Sequence, residues 1–268
     1  MTDTSPPPAP LSGVRVAEFG NLIAAPFCAM LLADLGADVV KAEPPSGDLG
    51  RGFGPYINGE SAFFLSTNRG KRSVVIDFRT EDGRAQALEL AASADVVVNN
   101  LRHGAMDRLG LDESSVRAVN PDVIYATVSA FGADGPYAAR TGIDIIFQAE
   151  SGMMSLTGEP GSPPGKTATT IGDYVAATNT ALGICAALVD RDRTGKGSRV
   201  DVSLRDSLIA VQAGWNAIAF ATGEQPEKTG TASPFLAPNR MFETADGQMG
   251  IAIVSDRHFE NLCETLGR

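Results

Sequence analysis

The feature that most constrains the fold is an alternation of β-branched runs and apolar helical stretches, which begins near the N-terminus. A strand-like run at residues 14–19 precedes Gly20, an apolar stretch follows at 23–35, and a second strand-like run occupies 38–42. A strand, a helix and a strand within about thirty residues are typical of a βαβ unit. The sequence therefore predicts parallel strands connected by a helix.

The same alternation continues through most of the chain. Further strands are predicted at residues 73–78, 96–99, 122–129 and 200–203, and helices at 81–94, 174–189 and 204–222. Thr80 is the expected N-cap of the helix at 81–94. The pattern predicts an α/β fold with a mostly parallel sheet, helices on its faces, and ligands at the carboxyl ends of the strands.

The length of 268 residues accommodates one large or two modest domains. We expect a disordered proline-rich tail at 1–10 without a signal peptide, and a large domain at 11–200. A helix and linker are expected at 201–238. The start of a smaller second domain is expected at 239–268, where a hairpin turns at Asp246-Gly247 and a helix begins near Asp256.

Composition and motifs exclude several functions. The net charge of −10 argues against nucleic-acid partners, and no apolar run reaches the ~18 residues of a membrane span. No G-x-G-x-x-G, P-loop or H-E-x-x-H motif is present. With His103 and His258 as the only histidines and with Cys28, Cys185 and Cys263 far apart, we expect no metal site, no disulfide framework and a cytoplasmic location. Carboxylates remain as the catalytic groups.

Eight segments, in order from Leu11 to Ile253, resemble the family III CoA-transferases, also called the CaiB/BaiF family. They are LSGVRVAEFG, LLADLGADVVKAEPPSGD, NRGKRSVVIDF, LRHGAMDRLGL, NPDVIYATVSAFGADGPYAAR, SGMMSLTGEPGSPPGK, IGDYVAA and FETADGQMGIAI. The resemblance implies a Rossmann-like CoA-binding domain and a transferase that moves CoA from an acyl-CoA to a free carboxylic acid. It implies no permanently bound cofactor, because CoA and acyl-CoA are substrates.

The resemblance also implies an interlocked homodimer. Family members usually continue well past the position of Arg268, so we expect an incomplete second domain. Three alternatives follow from this length: an ordinary dimer, help from a separate chain, or a truncated product of doubtful activity.

The nucleophile of this family, a carboxylate that forms an anhydride and then a CoA thioester, corresponds to Asp173. In the sequence this residue stands directly before the helix predicted at 174–189 and after Gly172, a small neighbour that admits a thioester. A carboxylate held at a helix N-terminus in a dry cleft can act as a nucleophile. The alternative is an ordinary N-cap role for Asp173.

The phosphates of CoA are negatively charged, so an acidic protein needs cations at defined positions to bind them. The resemblance to the family implies which residues make these contacts. A basic cluster lies at the entry of the strand at 73–78, whereas solvated surface is the preferred interpretation of its first member, Arg69. The implied contacts are Lys71, Arg72 and Arg102 for CoA, Ile23 and Ala24 near its adenine or pantetheine arm, and Tyr137 near the reacting thioester.

The sequence leaves two other functions open. Related α-methylacyl-CoA racemases use a histidine at the position of Ile143, and isoleucine cannot accept a proton. A non-catalytic CoA-binding protein is the second alternative, because the glycine-rich loop that many transferases place over the thioester is not evident in residues 230–239.

Overall fold

A six-stranded parallel sheet organises the larger part of the molecule, as a computed structural model that describes residues 9–268 shows. The order of its strands is β5-β2-β1-β6-β7-β8. The strands are β1 (Arg15–Phe19), β2 (Asp38–Glu43), β5 (Arg72–Val75), β6 (Val96–Asn99), β7 (Ile124–Ser129) and β8 (Arg199–Ser203). The short pair β3 (Tyr56–Ile57) and β4 (Glu60–Ser61) and the hairpin β9 (Asn239–Thr244) and β10 (Gly247–Ala252) are antiparallel.

Helices follow most strands and cover both faces of the sheet. Their bounds are α1 (Ala24–Asp34), α2 (Ala62–Asn68), α3 (Glu81–Ala92), α4 (Ala105–Leu109), α5 (Glu113–Val119), α6 (Asp144–Glu150), α7 (Met153–Leu156), α8 (Ile171–Thr194), α9 (Leu204–Val211), α10 (Ala213–Thr222) and α11 (Asp256–Thr265). The predicted α/β class with a mostly parallel sheet is confirmed. The Thr80 cap is confirmed as well, since the Gly83 amide donates to Thr80 Oγ1 at 3.0 Å.

Two apolar cores lie on opposite faces of the sheet because successive side chains of a strand point to opposite sides. On one face, residues such as Val16 and Ile184 join the strands to α1 and α8. On the other face, residues such as Ala17 and Val116 join them to α3 and α5. The inner strand β6, with all four residues buried, is therefore covered on both sides, which explains its continuous β-branched character.

Helix α8 is long and apolar enough to pass a length-and-hydropathy test for a membrane span. It packs against α1, α9, β7 and β8, and eight of its residues are buried there, as in the core helix of an α/β protein. Two differences from the sequence prediction are found in this region. Helix α8 begins at Ile171, three residues before the predicted start, and the helix predicted at 204–222 is two helices separated by Gln212.

The chain divides into two compact units. The large unit contains the described residues up to Phe147 together with Thr169–Val211, and the small unit contains Gln148–Ala168 and Gln212–Arg268. The small unit contains the hairpin and α11, which were predicted, and residues 223–238 between them and α10 contain neither helix nor strand. The predicted domain boundaries stay a prediction, and residues 1–8 of the expected tail lie outside the described residues.

Candidate active site

The N-termini of α1 and α8 lie at the carboxyl edge of the sheet, because each helix belongs to a parallel crossover that starts where a strand ends. The first turns of the two helices are joined by an edge-to-face contact between Phe27 and Tyr174, with ring centroids 4.8 Å apart. This contact brings Ile23 and Ala24, both buried at the start of α1, to the same edge as Asp173.

Asp173 is a residue of the first turn of α8 and not its N-cap. The N-cap is Thr170, whose side chain makes no capping hydrogen bond, and the Asp173 amide donates to the Thr170 carbonyl oxygen at 3.1 Å. The capping interpretation of Asp173 is therefore wrong. The helix starts earlier than predicted because Ile171 and Gly172 adopt helical geometry, and a carboxylate inside the first turn gains from the helix dipole.

The carboxyl group of Asp173 is partly buried, and a second carboxylate acts on it. Burial and the negative charge of Asp144 raise the pKa of Asp173 from its ordinary value of 3.8 to about 7. Both effects disfavour the charged form, so near neutral pH the side chain is close to half ionised. A carboxylate that is poorly stabilised in this way is a better nucleophile than one in water.

Asp144 reaches the same helix terminus from α6. Its Oδ1 accepts a hydrogen bond from the Gly172 amide at 2.8 Å, and Asp144 is itself buried. A Cβ atom at position 172 would lie 2.9 Å from Asp144 Oδ1 and 3.2 Å from Leu208 Cδ1. Glycine is therefore required at position 172 for the approach of Asp144. The sequence had suggested a different reason for this glycine, namely space for a thioester.

The loop before α1 is held from two sides. The Asn21 amide donates to the Asn100 side-chain oxygen at 2.9 Å, and the Asn100 side chain donates back to the Asn21 carbonyl oxygen at 2.9 Å. Leu22 has a left-handed backbone with φ of 65°, and its amide donates to Asp48 Oδ1 at 3.1 Å. A branched residue in this conformation is strained and needs such support.

A buried ionic cluster, formed by Glu18, Lys41, Asp48 and Lys71, lies beneath this loop. Lys41 is 1% exposed, and its Nζ lies 2.6 Å from Glu18 Oε1 and 2.8 Å from Asp48 Oδ2. Lys41 also donates to the Gly20 carbonyl oxygen at 2.9 Å. Two lysines balance two carboxylates, so the cluster is neutral and links the loop to the ends of β1 and β2.

Lys71 belongs to this cluster and not to an exposed phosphate site. Its side chain is 2% exposed, and Nζ donates to Glu18 Oε2, the Pro26 carbonyl oxygen and Asn68 Oδ1 at 2.7, 2.7 and 2.8 Å. All three ammonium hydrogens have acceptors, which leaves none for a ligand. The sequence could not indicate this, because Glu18 is 53 residues away.

Arg72 is also separated from the carboxyl edge. It is the first residue of β5 and pairs with Asp38, the first residue of β2, at 2.6 Å. Both residues lie at the amino ends of parallel strands, on the side of the sheet opposite to Asp173. The structure does not bring Arg72 together with Arg102, and the expected contact of Arg72 with CoA stays a prediction.

Arg102 follows the carboxyl end of β6. It is exposed, and its guanidinium has no partner among residues 9–268. A cavity of about 110 Å³ lies beside it, lined by Phe19, Gly20, Asn21, Ala42, Glu43, Pro44, Phe78, Leu101 and Leu109. Phe78 and Leu101 directly precede Arg79 and Arg102 in the chain. Arg79 pairs with Asp77 at 2.8 Å, so Arg102 is the arginine next to this mostly apolar cavity whose charge is available to a ligand.

Tyr137 lies in the loop after β7, against Phe131, with ring centroids 5.8 Å apart. Phe131 in turn contacts Phe147 of α6, three residues after Asp144. Tyr137 is 46% exposed. The aromatic contacts connect the Tyr137 loop to the helix that carries Asp144. Within residues 9–268 no group of three or more His, Cys, Asp or Glu side chains is arranged to hold a metal ion.

Known proteins match the amino-acid sequence along nearly all of its length. The family described as CoA-transferase family III matches residues 11–268. A succinate–glutarate CoA-transferase of Agrobacterium fabrum is 39% identical, and the alignment covers 100% of this chain and 69% of that protein. An acetyl-CoA:oxalate CoA-transferase of Acetobacter aceti is 39% identical, with 100% of this chain and 70% of that protein covered.

The fold matches solved structures of the same kind. A CaiB/BaiF family protein from Brucella suis superposes with a TM-score of 0.90 and 40% identity, over 97% of this chain and 70% of that one. The Rv3272 protein from Mycobacterium tuberculosis superposes with a TM-score of 0.86 and 34% identity, over 98% of this chain and 70% of that one. The chain thus belongs to CoA-transferase family III, whose named relatives transfer CoA between an acyl-CoA and a carboxylate.

Proposed function

We propose that this chain transfers CoA by covalent catalysis at Asp173. The observation that carries the proposal is the position of this side chain, which lies in the first turn of α8, partly buried beside Asp144, at the carboxyl edge of the sheet. Of the carboxylates described above at this edge, Asp144 is engaged with the Gly172 amide, so Asp173 is the group placed to attack a thioester.

Four transfers complete the reaction without loss of atoms. An oxygen of Asp173 attacks the thioester carbonyl carbon, the C–S bond breaks, and CoA leaves as a thiolate from an acyl-aspartyl anhydride. The thiolate attacks the Asp173 carbonyl carbon of the anhydride and releases the first acid, which leaves an aspartyl-CoA thioester. The acceptor carboxylate attacks the carbonyl carbon of that thioester, the C–S bond breaks, and a second anhydride and the CoA thiolate form. The thiolate then attacks the acceptor's acyl carbon, and the bond from this carbon to the Asp173 oxygen breaks. Free Asp173 and the new acyl-CoA result.

CoA is proposed to bind along the carboxyl edge. The loop at residues 20–23 is shaped by Asn100 and Asp48 before any ligand arrives, which lowers the ordering cost of binding. Arg102 supplies positive charge beside the cavity, where the phosphates and the flat base of CoA fit chemically. Ile23 and Ala24 provide the buried apolar surface next to them.

Hydroxylamine trapping tests the proposed nucleophile. The wild-type protein is incubated with succinyl-CoA and hydroxylamine, and peptides are mapped by mass spectrometry. A hydroxamate at Asp173 is expected, because both covalent intermediates are reactive acyl derivatives of this side chain. Transfer without any adduct at Asp173 would refute the mechanism. Exchange of the α-proton of the acyl group without transfer would favour a racemase, although Ile143, 71% exposed, offers no base.

Arg102→Ala is expected to raise KM for the acyl-CoA at least about tenfold while kcat changes little, because a charge-assisted contact to a phosphate is lost far from the reacting carbon. Steady-state kinetics over a range of acyl-CoA concentrations measure both constants. Arg69→Ala is the matched control, since Arg69 is equally a surface arginine but pairs with Asp34 at the far end of α1. Equal KM values for the two variants would exclude Arg102 from the CoA site.

The acyl donor and the acceptor acid are a second part of the proposal. The named relatives use succinate, glutarate and oxalate, and we infer that this chain acts on a short carboxylic acid of the same type. The homodimer, the absence of nucleic-acid and membrane partners, and the cytoplasmic location stay predictions from the sequence.

A further inference from the structure

The residue that controls the start of α8 comes from a different helix. The side chain of Thr170, the N-cap of α8, makes no capping bond. Asp144, at the start of α6, instead accepts the hydrogen bond of the Gly172 amide at 2.8 Å and is buried there. A carboxylate 28 residues earlier in the chain therefore caps the helix that carries the proposed nucleophile.

We propose that Asp144 is a positioning residue for CoA transfer: it fixes the first turn of α8, occupies the amide next to Asp173, and keeps the Asp173 carboxylate from being stabilised by that amide. This inference rests on the proposed function of Asp173. It adds a specific role for a second carboxylate, which sets the orientation and the basicity of the nucleophile.

The physical consequence follows from the chemistry of a helix terminus. Free amides of the first turn stabilise a nearby negative charge and would make Asp173 a weaker nucleophile. Asp144 takes one of these amides and adds a like charge, which raises the free energy of ionised Asp173. Acylation removes the charge from Asp173 and relieves this repulsion, so the interaction favours formation of the anhydride over the resting carboxylate.

Apolar side chains from two packed helices lie against the residues on either side of Asp173. Helix α1 presents Phe27 to Tyr174, and α9 presents Leu208 to Gly172. Burial is the largest cause of the raised pKa of Asp173, and the negative charge of Asp144 raises this pKa further. Removal of the Asp144 charge is therefore expected to lower the pKa of Asp173 in part, while the contribution of burial stays.

The test compares wild type, Asp144→Asn and Asp144→Ala in the full-length chain, with transfer rates and hydroxylamine trapping measured between pH 5 and 9. Asparagine keeps an oxygen for the Gly172 amide and removes the charge, whereas alanine removes both. Wild type is expected to gain activity with a midpoint near pH 7. In Asp144→Asn the midpoint falls by about one pH unit, and the limiting rate falls several-fold because the nucleophile is less basic.

Asp144→Ala is expected to lose at least about tenfold more in rate than Asp144→Asn, because the first turn of α8 also loses its cap. Asp112→Asn is the matched control, since Asp112 caps α5 through the Ser114 and Ser115 amides. It removes a capping charge elsewhere and leaves the midpoint unchanged. A merely structural role of Asp144 would lower the rate without moving the midpoint.

The outcomes separate the two proposals. A wild-type protein that transfers CoA without an Asp173 adduct refutes the proposed function. A wild-type protein that forms the adduct, together with an unchanged midpoint in Asp144→Asn, overturns the role of Asp144 alone. Should the variants fold poorly, carbon-13 NMR of the Asp173 carboxyl group in wild type decides: a pKa near 7 supports the proposed effect of burial and of Asp144, and an ordinary pKa overturns it.

Discussion

Asp173→Asn is expected to lower the rate of CoA transfer by about 10³-fold or more, and to abolish the hydroxylamine-trapped adduct, because the amide oxygen cannot form the anhydride. The substitution retains size and shape, so CoA binding is expected to persist with a dissociation constant close to that of wild type. The measurements are transfer kinetics and calorimetric titration with CoA. Turnover at more than a tenth of the wild-type rate would contradict covalent catalysis at this residue.

Stability against pH provides the control for this variant. The folded pKa of Asp173 lies above its ordinary value, so the ionised side chain destabilises the folded state at pH above about 7, and this effect disappears as the pH falls to about 4. Asp173→Asn is therefore expected to melt at a higher temperature than wild type at pH 8. The difference should shrink toward pH 5. An Asn variant that melts below wild type at pH 8 would show that Asp173 supports the fold instead.

Lys41→Met is expected to destabilise the large unit by about 3–5 kcal/mol, the usual cost of leaving a buried charge unpaired. The substitution leaves Asp48 without its cation and the Gly20 carbonyl oxygen without a donor. Urea unfolding followed by circular dichroism measures the loss. Where the variant is folded, we also expect a higher KM for acyl-CoA, because the Leu22 conformation depends on Asp48.

Two further variants define what the Lys41 result means. Arg69→Met breaks the exposed pair with Asp34 and is expected to cost less than about 1 kcal/mol. The double variant of Lys41→Met with Asp48→Asn removes both charges and is expected to lose less stability than the sum of the two single changes. Additive losses would show that the 2.8 Å contact between Lys41 and Asp48 carries no coupling.

The local pattern of β-branched and apolar residues predicted most of the strands and the long helices of the large unit. The β-branched runs at β1, β2, β6 and β7 became neighbouring parallel strands, and the Asp246-Gly247 turn joins the predicted hairpin. The long helix predicted at 204–222 failed because it crosses from one compact unit to the other at Gln212, and periodicity alone does not reveal such a boundary. The short helices α4 to α7 escaped prediction because each has only one or two turns.

The candidate site was predictable only in part. Motif resemblance and strand-end position directed attention to Asp173 and Arg102, and both lie at the carboxyl edge of the sheet. Asp144 directly follows Ile143, but the sequence did not indicate a role for it. That role depends on a hydrogen bond from the amide of Gly172, 28 residues away. Lys71 and Arg72 are adjacent and chemically alike, yet one is buried on Glu18 and the other pairs with Asp38 at the opposite edge.

The sequence by itself determined the α/β class, the family and the residue types that chemistry at this site requires, because these follow from local periodicity and from motifs read along the chain. Only the tertiary structure decided which charged side chains are free and which are already paired. The physical reason is that the ionisation and availability of a side chain depend on burial and on partners such as Glu18, Asp48 and Asp144, which folding brings from distant segments.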